Sequence, residues 1–314
     1  MPVQPGHEGV NMNAIENADR GASNIVVSTV LLTKPGIITS VAFTGFAGMV
    51  LASKGFPSIY LAVEALLSLL LSAAGAAILN NVLDRRIDVL MSRLSKRVDA
   101  LTVIGEKTAV AIAFVFIAIS LFISFYYLNV VNAALTIAAI LSYALLYTLY
   151  LKRSSPYGTI LGGLPGALPV LIGYAAVNPA LGVDAVILFI FMMLWQPPHF
   201  WALAQKYKID YKKAGIPVMP VAMGTKYTNV MILLYSVSLF PLSLSLWFLG
   251  YCSYYYAIFA VISGLYFEYI IIKSALNNTD YGKAFGASIL YMLVIMASLI
   301  LDVGFNSPNA IVGG

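Results

Sequence analysis

The sequence predicts an all-α, polytopic membrane protein with about nine transmembrane helices. Apolar residues make up 61% of the 314 positions and charged residues only 10%, whereas soluble domains carry roughly 45–50% apolar residues. The mean hydropathy is +0.89. The apolar residues form stretches close to the 20 or so residues that a helix needs to cross a hydrocarbon core of about 30 Å. These stretches are too long and too uniformly apolar for the alternating strands of a membrane β-barrel.

The spans are read between the charged positions. Residues 1–24, polar and rich in Gly and Asn, are predicted to be a flexible cytoplasmic tail, and residues 25–314 a single transmembrane domain. Within that domain the predicted spans are 36–53, 58–83, 107–127, 130–151, 158–178, 181–204, 228–250, 254–274 and 284–305.

The positions of the cations predict the orientation. Lys and Arg cluster after spans two, four, six and eight, while the loops after spans three, five and seven carry none. Because Lys and Arg in short loops stay on the cytoplasmic side, the N-terminus is predicted to be cytoplasmic, and every cation except Lys54 then lies on that side. The formal net charge of +5 is therefore mainly a topology signal.

A nucleic-acid partner is disfavoured, since the cations do not form one soluble basic face. The single Cys252 excludes an internal disulfide or a Cys-based metal cluster.

Two charged segments carry the candidate chemistry, and the first, residues 80–97, follows span two. Asn80, Asp84 and Asp88 are spaced by four residues, which places their oxygens on one face of a helix. Mg2+ typically takes one or two protein carboxylates and completes its shell with water and phosphate oxygens. Arg93 and Arg97 follow and offer planar donors for phosphate. The segment, here named the first motif, predicts a site for a Mg2+-bound diphosphate.

A simpler interpretation of the first motif also exists. Asp84 and Asp88 could only balance Arg85 and Arg86 on a solvated helix end. The recurrence of cations downstream, at the exit of a membrane helix, favours the functional interpretation.

The second motif, residues 195–217, follows span six. Pro197 and Pro198 remove two backbone donors and are predicted to kink the helix, and breaks inside membrane helices are tolerated where they line a cavity. His199 follows directly. Imidazole is a common axial ligand of haem iron, so His199 is either a substrate-contacting group or a satisfied core residue. Asp210 could complete a second metal position facing the first motif, or neutralise the lysines around it.

With these motifs, the chain resembles the UbiA-type intramembrane prenyltransferases, and within them the haem O synthase (protohaem IX farnesyltransferase) branch. The resemblance covers nearly all of the chain after the tail, and its most specific part is Trp195-Gln196 through His199-Phe200 to Leu203-Ala204. The supporting parts include Leu32-Thr33-Lys34-Pro35, Tyr147-Thr148, Leu151-Lys152-Arg153, Gly162-Gly163, Gly166-Ala167 and Ala214-Gly215-Ile216-Pro217. The departures from the family pattern are Gly36, Asn81, Leu94 and Val98.

The resemblance implies nine helices around a central cavity and a defined reaction. A farnesyl group passes from farnesyl diphosphate to a vinyl group of haem B (protohaem IX), and water addition gives haem O, a step toward haem A. Mg2+ is the implied cofactor and haem B a substrate. The implied metal ligands are Asp84, Asp88 and Asp210, with Asn80 beside them. The implied groups for the diphosphate, the farnesyl cation and haem are Lys34, Arg93, Arg97, Lys152, Arg153, Tyr143, Tyr147, Tyr207, Tyr211 and His199.

The same resemblance names the setting. It implies a multi-pass protein of the cell membrane with the motif loops on the cytoplasmic side, and haem A synthase or the terminal-oxidase assembly pathway as further partners.

Two alternatives stay open at this point. A related enzyme that prenylates a quinone precursor or lipid would act without haem and would be indifferent to His199. A transporter would show an internal repeat across its halves.

Overall fold

The computed structural model describes residues 24–306, so the predicted tail, residues 1–24, lies almost wholly outside the described part. Within residues 24–306, nine helices are long and apolar enough to cross a membrane, and this confirms the predicted all-α membrane class. Numbered as spans one to nine, they are Pro35–Ser53, Ile59–Asp88, Glu106–Leu128, Val130–Ser154, Gly158–Val177, Val183–Lys206, Gly224–Phe248, Tyr254–Asn277 and Tyr281–Asn306.

Shorter helices lie at the ends of the spans. A helix over Asn24–Thr33 precedes span one, and Lys34 joins the two in a left-handed backbone conformation, with φ of 60°. The remaining short helices are Ser92–Leu94, Ser95–Ile104, Lys208–Lys213 and Met219–Ala222. All four belong to the connections after spans two and six. The end of the bundle that carries these connections is called the motif end.

Span two extends further than its hydropathy predicts. The apolar stretch ends at residue 83, but the helix continues to Asp88, because charged residues propagate a helix readily once it has begun. The extension keeps Asn80, Asp84 and Asp88 on helix, as their spacing predicts. All three are buried, so they face the bundle rather than solvent.

No interruption accompanies the predicted kink in span six, whereas span five is interrupted. Span six is helical from Val183 to Lys206, with Pro197 and Pro198 inside it. Span five is interrupted at Gly162 and Gly163, between helices Gly158–Leu161 and Leu164–Val177. The Gln196 amide donates to the Gly163 carbonyl at 2.6 Å. The Gly163 carbonyl also accepts from the N–H groups of Gly166 and Ala167, so the side chain of span six adds a donor to backbone that is already satisfied within span five.

Close packing of small residues fixes span five against span one. A Cβ atom at Gly48 would collide with the Val170 carbonyl, and one at Gly173 with the Gly45 carbonyl. Such contacts let two membrane helices approach at backbone distance. One large buried cluster then joins these spans to spans six, seven, eight and nine.

Part of span four is not α-helical. Residues Ser142–Leu151 form a π-helix, in which hydrogen bonds run from residue i to i+5. π-Helices are rare and occur mostly as single turns inside α-helices, frequently at functional sites. This segment packs against the motif end of span two.

Candidate active site

The centre of the motif end is the carboxylate of Asp84, which is 1% exposed. Lys152 Nζ lies 2.6 Å from Asp84 Oδ2, and Arg153 Nη2 lies 3.2 Å from Oδ1. The Asn80 amide donates to Oδ2 at 3.0 Å. Two cations from span four therefore converge on one buried acid of span two. The spacing of the motif residues alone could not reveal this contact.

Lys34 approaches the same cluster from the junction before span one. Its ammonium donates to Asn80 Oδ1 and to the Tyr143 hydroxyl at 3.2 Å. The side chain is 6% exposed, and the left-handed backbone that aims it inward is costly for a residue with a Cβ. Burial, followed by the charges of Arg97 and Lys152, lowers the pKa of Lys34 to about 7.

Asp88 ends span two one turn after Asp84 and is 6% exposed. Within residues 24–306 its carboxylate accepts no side-chain hydrogen bond. Arg97 lies on the following short helix, where burial, followed by the charge of Arg93, lowers its pKa. A buried acid without a fixed partner and a half-buried guanidinium thus stand beside the Asp84 cluster.

The two motifs meet across the motif end. The Ser92 hydroxyl donates to Asp210 Oδ2 at 3.3 Å. Arg93 donates to the Tyr211 hydroxyl at 3.1 Å and stands over the rings of Tyr207 and Tyr211, 5.3 and 5.5 Å from their centroids. Beneath these contacts Met91, Leu94 and Ile216 form a small buried apolar cluster. The two motifs, whose contacting residues lie 118 positions apart in sequence, therefore form one assembly.

A pocket opens beside this assembly between spans four, five and six. Three of the predicted site residues, Tyr147, Lys152 and Tyr211, line it. Tyr147 also stacks on Tyr143, with centroids 6.1 Å apart and an interplanar angle of 8°. The pocket therefore has a charged edge at Lys152 and an aromatic wall, and Phe200 of span six also lines it.

His199 lies on a different face of span six and contacts span nine. Its ring is 8% exposed and stacks between Trp195 and Phe285, with both centroids 4.4 Å away. Its Nδ1 lies 2.7 Å from the Ser288 hydroxyl oxygen, and that hydroxyl donates its hydrogen to the Phe285 carbonyl. The hydroxyl must then accept from Nδ1–H, which leaves the lone pair on Nε2. In the described part of the chain, His199 makes no hydrogen bond to the acids of either motif.

The donor set fits Mg2+ bound together with a phosphate group. Asp84 and Asp88 present hard carboxylate oxygens one turn apart, which suits a cation that keeps several water or phosphate ligands. Across residues 24–306 no three His, Cys, Asp or Glu side chains converge on one metal position. Asp210 therefore does not form one compact site with Asp84 and Asp88. It faces the first motif from the second.

Sequence reasoning missed two polar side chains of the site. Thr148, fully buried, accepts from the Asn80 amide at 2.8 Å, and Ser92 links the first motif to Asp210. The position of Thr148, four residues before Lys152, is a signal that could have found it. Ser92 carries no comparable signal, since its role depends on the loop reaching the second motif.

Comparison with known proteins agrees with this architecture. The profile of the UbiA prenyltransferase family matches residues 41–299. The chain is 44% identical over 257 residues to a protoheme IX farnesyltransferase of Geotalea uraniireducens, covering 81% of this chain and 98% of that protein. It is 40% identical over 280 residues to the protein of that name from Aquifex aeolicus, covering 89% and 96%.

Solved structures share the fold. A UbiA homologue from Aeropyrum pernix aligns with a TM-score of 0.68 at 19% identity, covering 85% of this chain and 98% of that chain. A UbiA homologue from Archaeoglobus fulgidus bound to DMAPP and Mg2+ aligns with a TM-score of 0.66 at 18% identity, covering 87% and 99%. By sequence and by fold, this chain belongs to the UbiA prenyltransferase family, whose proteins are multi-pass membrane proteins.

Proposed function

We propose that this protein transfers a farnesyl group from farnesyl diphosphate to a vinyl group of haem B, with addition of water, to give haem O. The observation that carries the proposal is the Asp84 cluster, where buried acids and cations meet at the edge of a membrane-embedded pocket. A diphosphate and its metal complement such a cluster, and an isoprenoid chain complements the apolar spans around it. The relatives named protoheme IX farnesyltransferase support haem as the acceptor.

Mg2+ is the proposed cofactor, held at one position by Asp84 and Asp88 from span two and at a second position by Asp210 from the second motif. The Archaeoglobus homologue, solved with DMAPP and Mg2+, supports a divalent metal in this fold. Bound Mg2+ would neutralise charge on the diphosphate and make it a better leaving group. Asn80 orients the cluster through its bonds to Lys34 and Asp84.

The cations of the site assist departure of the diphosphate. When the bond between farnesyl C1 and oxygen breaks, its electron pair leaves with the diphosphate, where Lys152 and Arg153 are placed to receive the charge. Lys34, Arg93 and Arg97 complete the positive surroundings. An allylic farnesyl cation remains, and the ring faces of nearby tyrosines stabilise it. The candidates are Tyr143, Tyr147, Tyr207 and Tyr211.

The acceptor then supplies electrons. The π electrons of the haem vinyl group form the new carbon–carbon bond, and water captures the resulting cation and loses a proton. His199 is proposed to contact or orient haem, because its Nε2 carries the free lone pair that iron ligation needs. The neutral contacts around its ring are also those of a packed core residue, so its removal is an informative test.

The proposed setting is the cell membrane, with a cytoplasmic N-terminus and the motif end on the cytoplasmic side. The cation pattern supports this orientation. Residues 25–314 are proposed to act as one catalytic domain, with haem A synthase or the terminal-oxidase assembly pathway as the next partner for haem O. The match to the prenyltransferase family gives no support to the transporter alternative.

The test is an assay of the purified protein in detergent with haem B, farnesyl diphosphate and Mg2+. Mass spectrometry should detect one hydroxyfarnesyl unit gained by the porphyrin, and EDTA should abolish the gain until Mg2+ is restored. A product on a quinone precursor or lipid, with none on haem, would overturn the acceptor and retain the reaction class. His199→Ala should lower haem turnover and leave binding of farnesyl diphosphate unchanged.

A further inference from the structure

The π-helical part of span four decides which of its side chains reach the Asp84 cluster. Tyr143, Thr148 and Lys152 contact Lys34, Asn80 and Asp84 respectively. Tyr143 and Lys152 are nine residues apart, which is roughly two turns of a π-helix with about 4.4 residues per turn. In an α-helix nine residues make about two and a half turns, and the two side chains would point in opposite directions.

Two threonines of span four show the change of register directly. Thr136, in the α-helical part, donates its hydroxyl hydrogen to the carbonyl of Asn132, four residues back. Thr148, in the π-helical part, donates to the carbonyl of Tyr143, five residues back, at 2.7 Å. Both side chains are fully buried. Only Thr148 touches the first motif.

The hydrogen bonds leave Thr148 one role toward Asn80. Its only hydroxyl hydrogen goes to the Tyr143 carbonyl, so its oxygen can only accept from Asn80. The Asn80 nitrogen then donates to both Thr148 and Asp84, while its oxygen accepts from Lys34. The acceptors Thr148 and Asp84 hold both N–H groups of the Asn80 amide and thereby fix its plane. The fixed amide in turn positions the Lys34 ammonium and the Asp84 carboxylate on either side of it.

We propose that Thr148 is a positioning residue for the diphosphate site, acting through the Asn80 amide. The inference rests on the proposed function, because it takes the Lys34–Asn80–Asp84 cluster to be the place where diphosphate binds. Without the hydroxyl, one buried Asn80 N–H loses its acceptor, which is costly in a membrane interior. Asn80 then rotates toward another acceptor, and Lys34 and Asp84 lose their alignment.

The experiment measures binding rather than turnover. Farnesyl thiodiphosphate, a poorly reactive analogue, is titrated with Mg2+ into the purified full-length protein by calorimetry. Thr148→Val keeps the shape and removes the hydroxyl, and it should raise the Kd roughly tenfold, the value of one lost hydrogen bond. Thr148→Ser restores the hydroxyl and should stay within about twofold of the wild type. Thr136→Val, the same change at a buried site of the same span, is the matched control and should also stay within about twofold.

The outcomes separate positioning from folding. A general packing role would lower the melting temperature of Thr148→Val and Thr136→Val alike and leave the Kd of the folded protein unchanged, which overturns the inference. Equal weakening by Thr148→Ser and Thr148→Val overturns it as well. If Thr148→Val does not fold, Thr148→Cys against Thr148→Ser makes the same comparison, since a thiol is a weak hydrogen-bonding group.

Failure of the proposed function has a different signature. A wild type that binds the thiodiphosphate but makes no haem product contradicts the acceptor and leaves the role of Thr148 testable by Kd. A wild type that does not bind the analogue overturns both.

Discussion

Asp84 and Asp302 are buried carboxylates at opposite ends of the same bundle, and their partners differ in charge. Asp84, 1% exposed, contacts the cations Lys152 and Arg153. Asp302, 6% exposed, accepts within residues 24–306 only from neutral groups: the Ser253 N–H at 2.6 Å, the Ser253 hydroxyl and the Asn306 amide. Asp302 thereby ties the start of span eight to the end of span nine, where a negative charge is favourable at a helix N-terminus.

The difference teaches how a catalytic acid can be told from a structural one in a membrane protein. Both acids have satisfied oxygens, so burial and hydrogen bonding do not separate them. At the motif end, however, cations outnumber the acids, and this excess of positive charge favours an anionic ligand. Asp184, which accepts from Tyr174 at 3.0 Å, follows the neutral pattern of Asp302. We therefore expect substitutions at the two ends to have opposite consequences.

The largest effect is expected from Asp84→Asn. The change preserves shape but removes the charge that holds Lys152 and Arg153 and would hold the metal. The initial rate of haem product formation at saturating Mg2+ should fall by about a hundredfold or more. An Asp84→Asn protein with more than a third of the wild-type rate would contradict the distinction between Asp84 and Asp302.

A smaller loss is expected from Arg93→Ala, which removes one of the contacts between the two motifs. Because Arg93 both donates to Tyr211 and stacks over two tyrosine rings, kcat/KM for farnesyl diphosphate should fall about tenfold. Arg93→Lys should recover part of this loss, since it keeps the charge without the planar group. Arg85→Ala is the control, because Arg85 pairs with Glu106 at the surface of the same region; equal losses for the two alanine variants would contradict the role of Arg93.

Binding of diphosphate should be accompanied by proton uptake at Lys34. With a pKa of about 7, Lys34 is mostly neutral at pH 8, and a nearby anion raises the pKa so that the amine binds a proton. Calorimetry of farnesyl thiodiphosphate in buffers of different ionisation enthalpy should therefore report uptake approaching one proton at about pH 8, and less at about pH 6. Lys34→Met should abolish the proton uptake. A binding enthalpy of the wild type that does not depend on the buffer would contradict the prediction.

The smallest effect on activity is expected from Asp302→Asn at the opposite end. The free energy of unfolding should fall by about 1–3 kcal/mol, because donors to the carboxylate lose a charged acceptor. The melting temperature in detergent should drop, while turnover per folded molecule stays within about twofold of the wild type. A loss of turnover approaching that of Asp84→Asn would mean that the two ends are not functionally distinct.

The sequence by itself determined the class of the fold, the nine spans and the shared face of Asn80, Asp84 and Asp88. These features are local. A membrane helix satisfies its own backbone hydrogen bonds, so its existence follows from a stretch of apolar residues, and the spacing of four follows from helical geometry. The resemblance carried by the second motif also pointed to the UbiA family. The predicted orientation and the roles of the individual site residues stay predictions.

Only the tertiary structure decided which side chains meet. Lys152 lies 68 residues after Asp84, and hydropathy does not encode the rotation of one span against another. The π-helical register that brings Thr148 to Asn80 has no signature in composition, and span five is interrupted at Gly162 and Gly163 while span six continues through Pro197 and Pro198. The reason is physical: in lipid, helix rotation, register and breaks are set by packing and by polar contacts between helices, and these depend on the neighbouring span rather than on the segment itself.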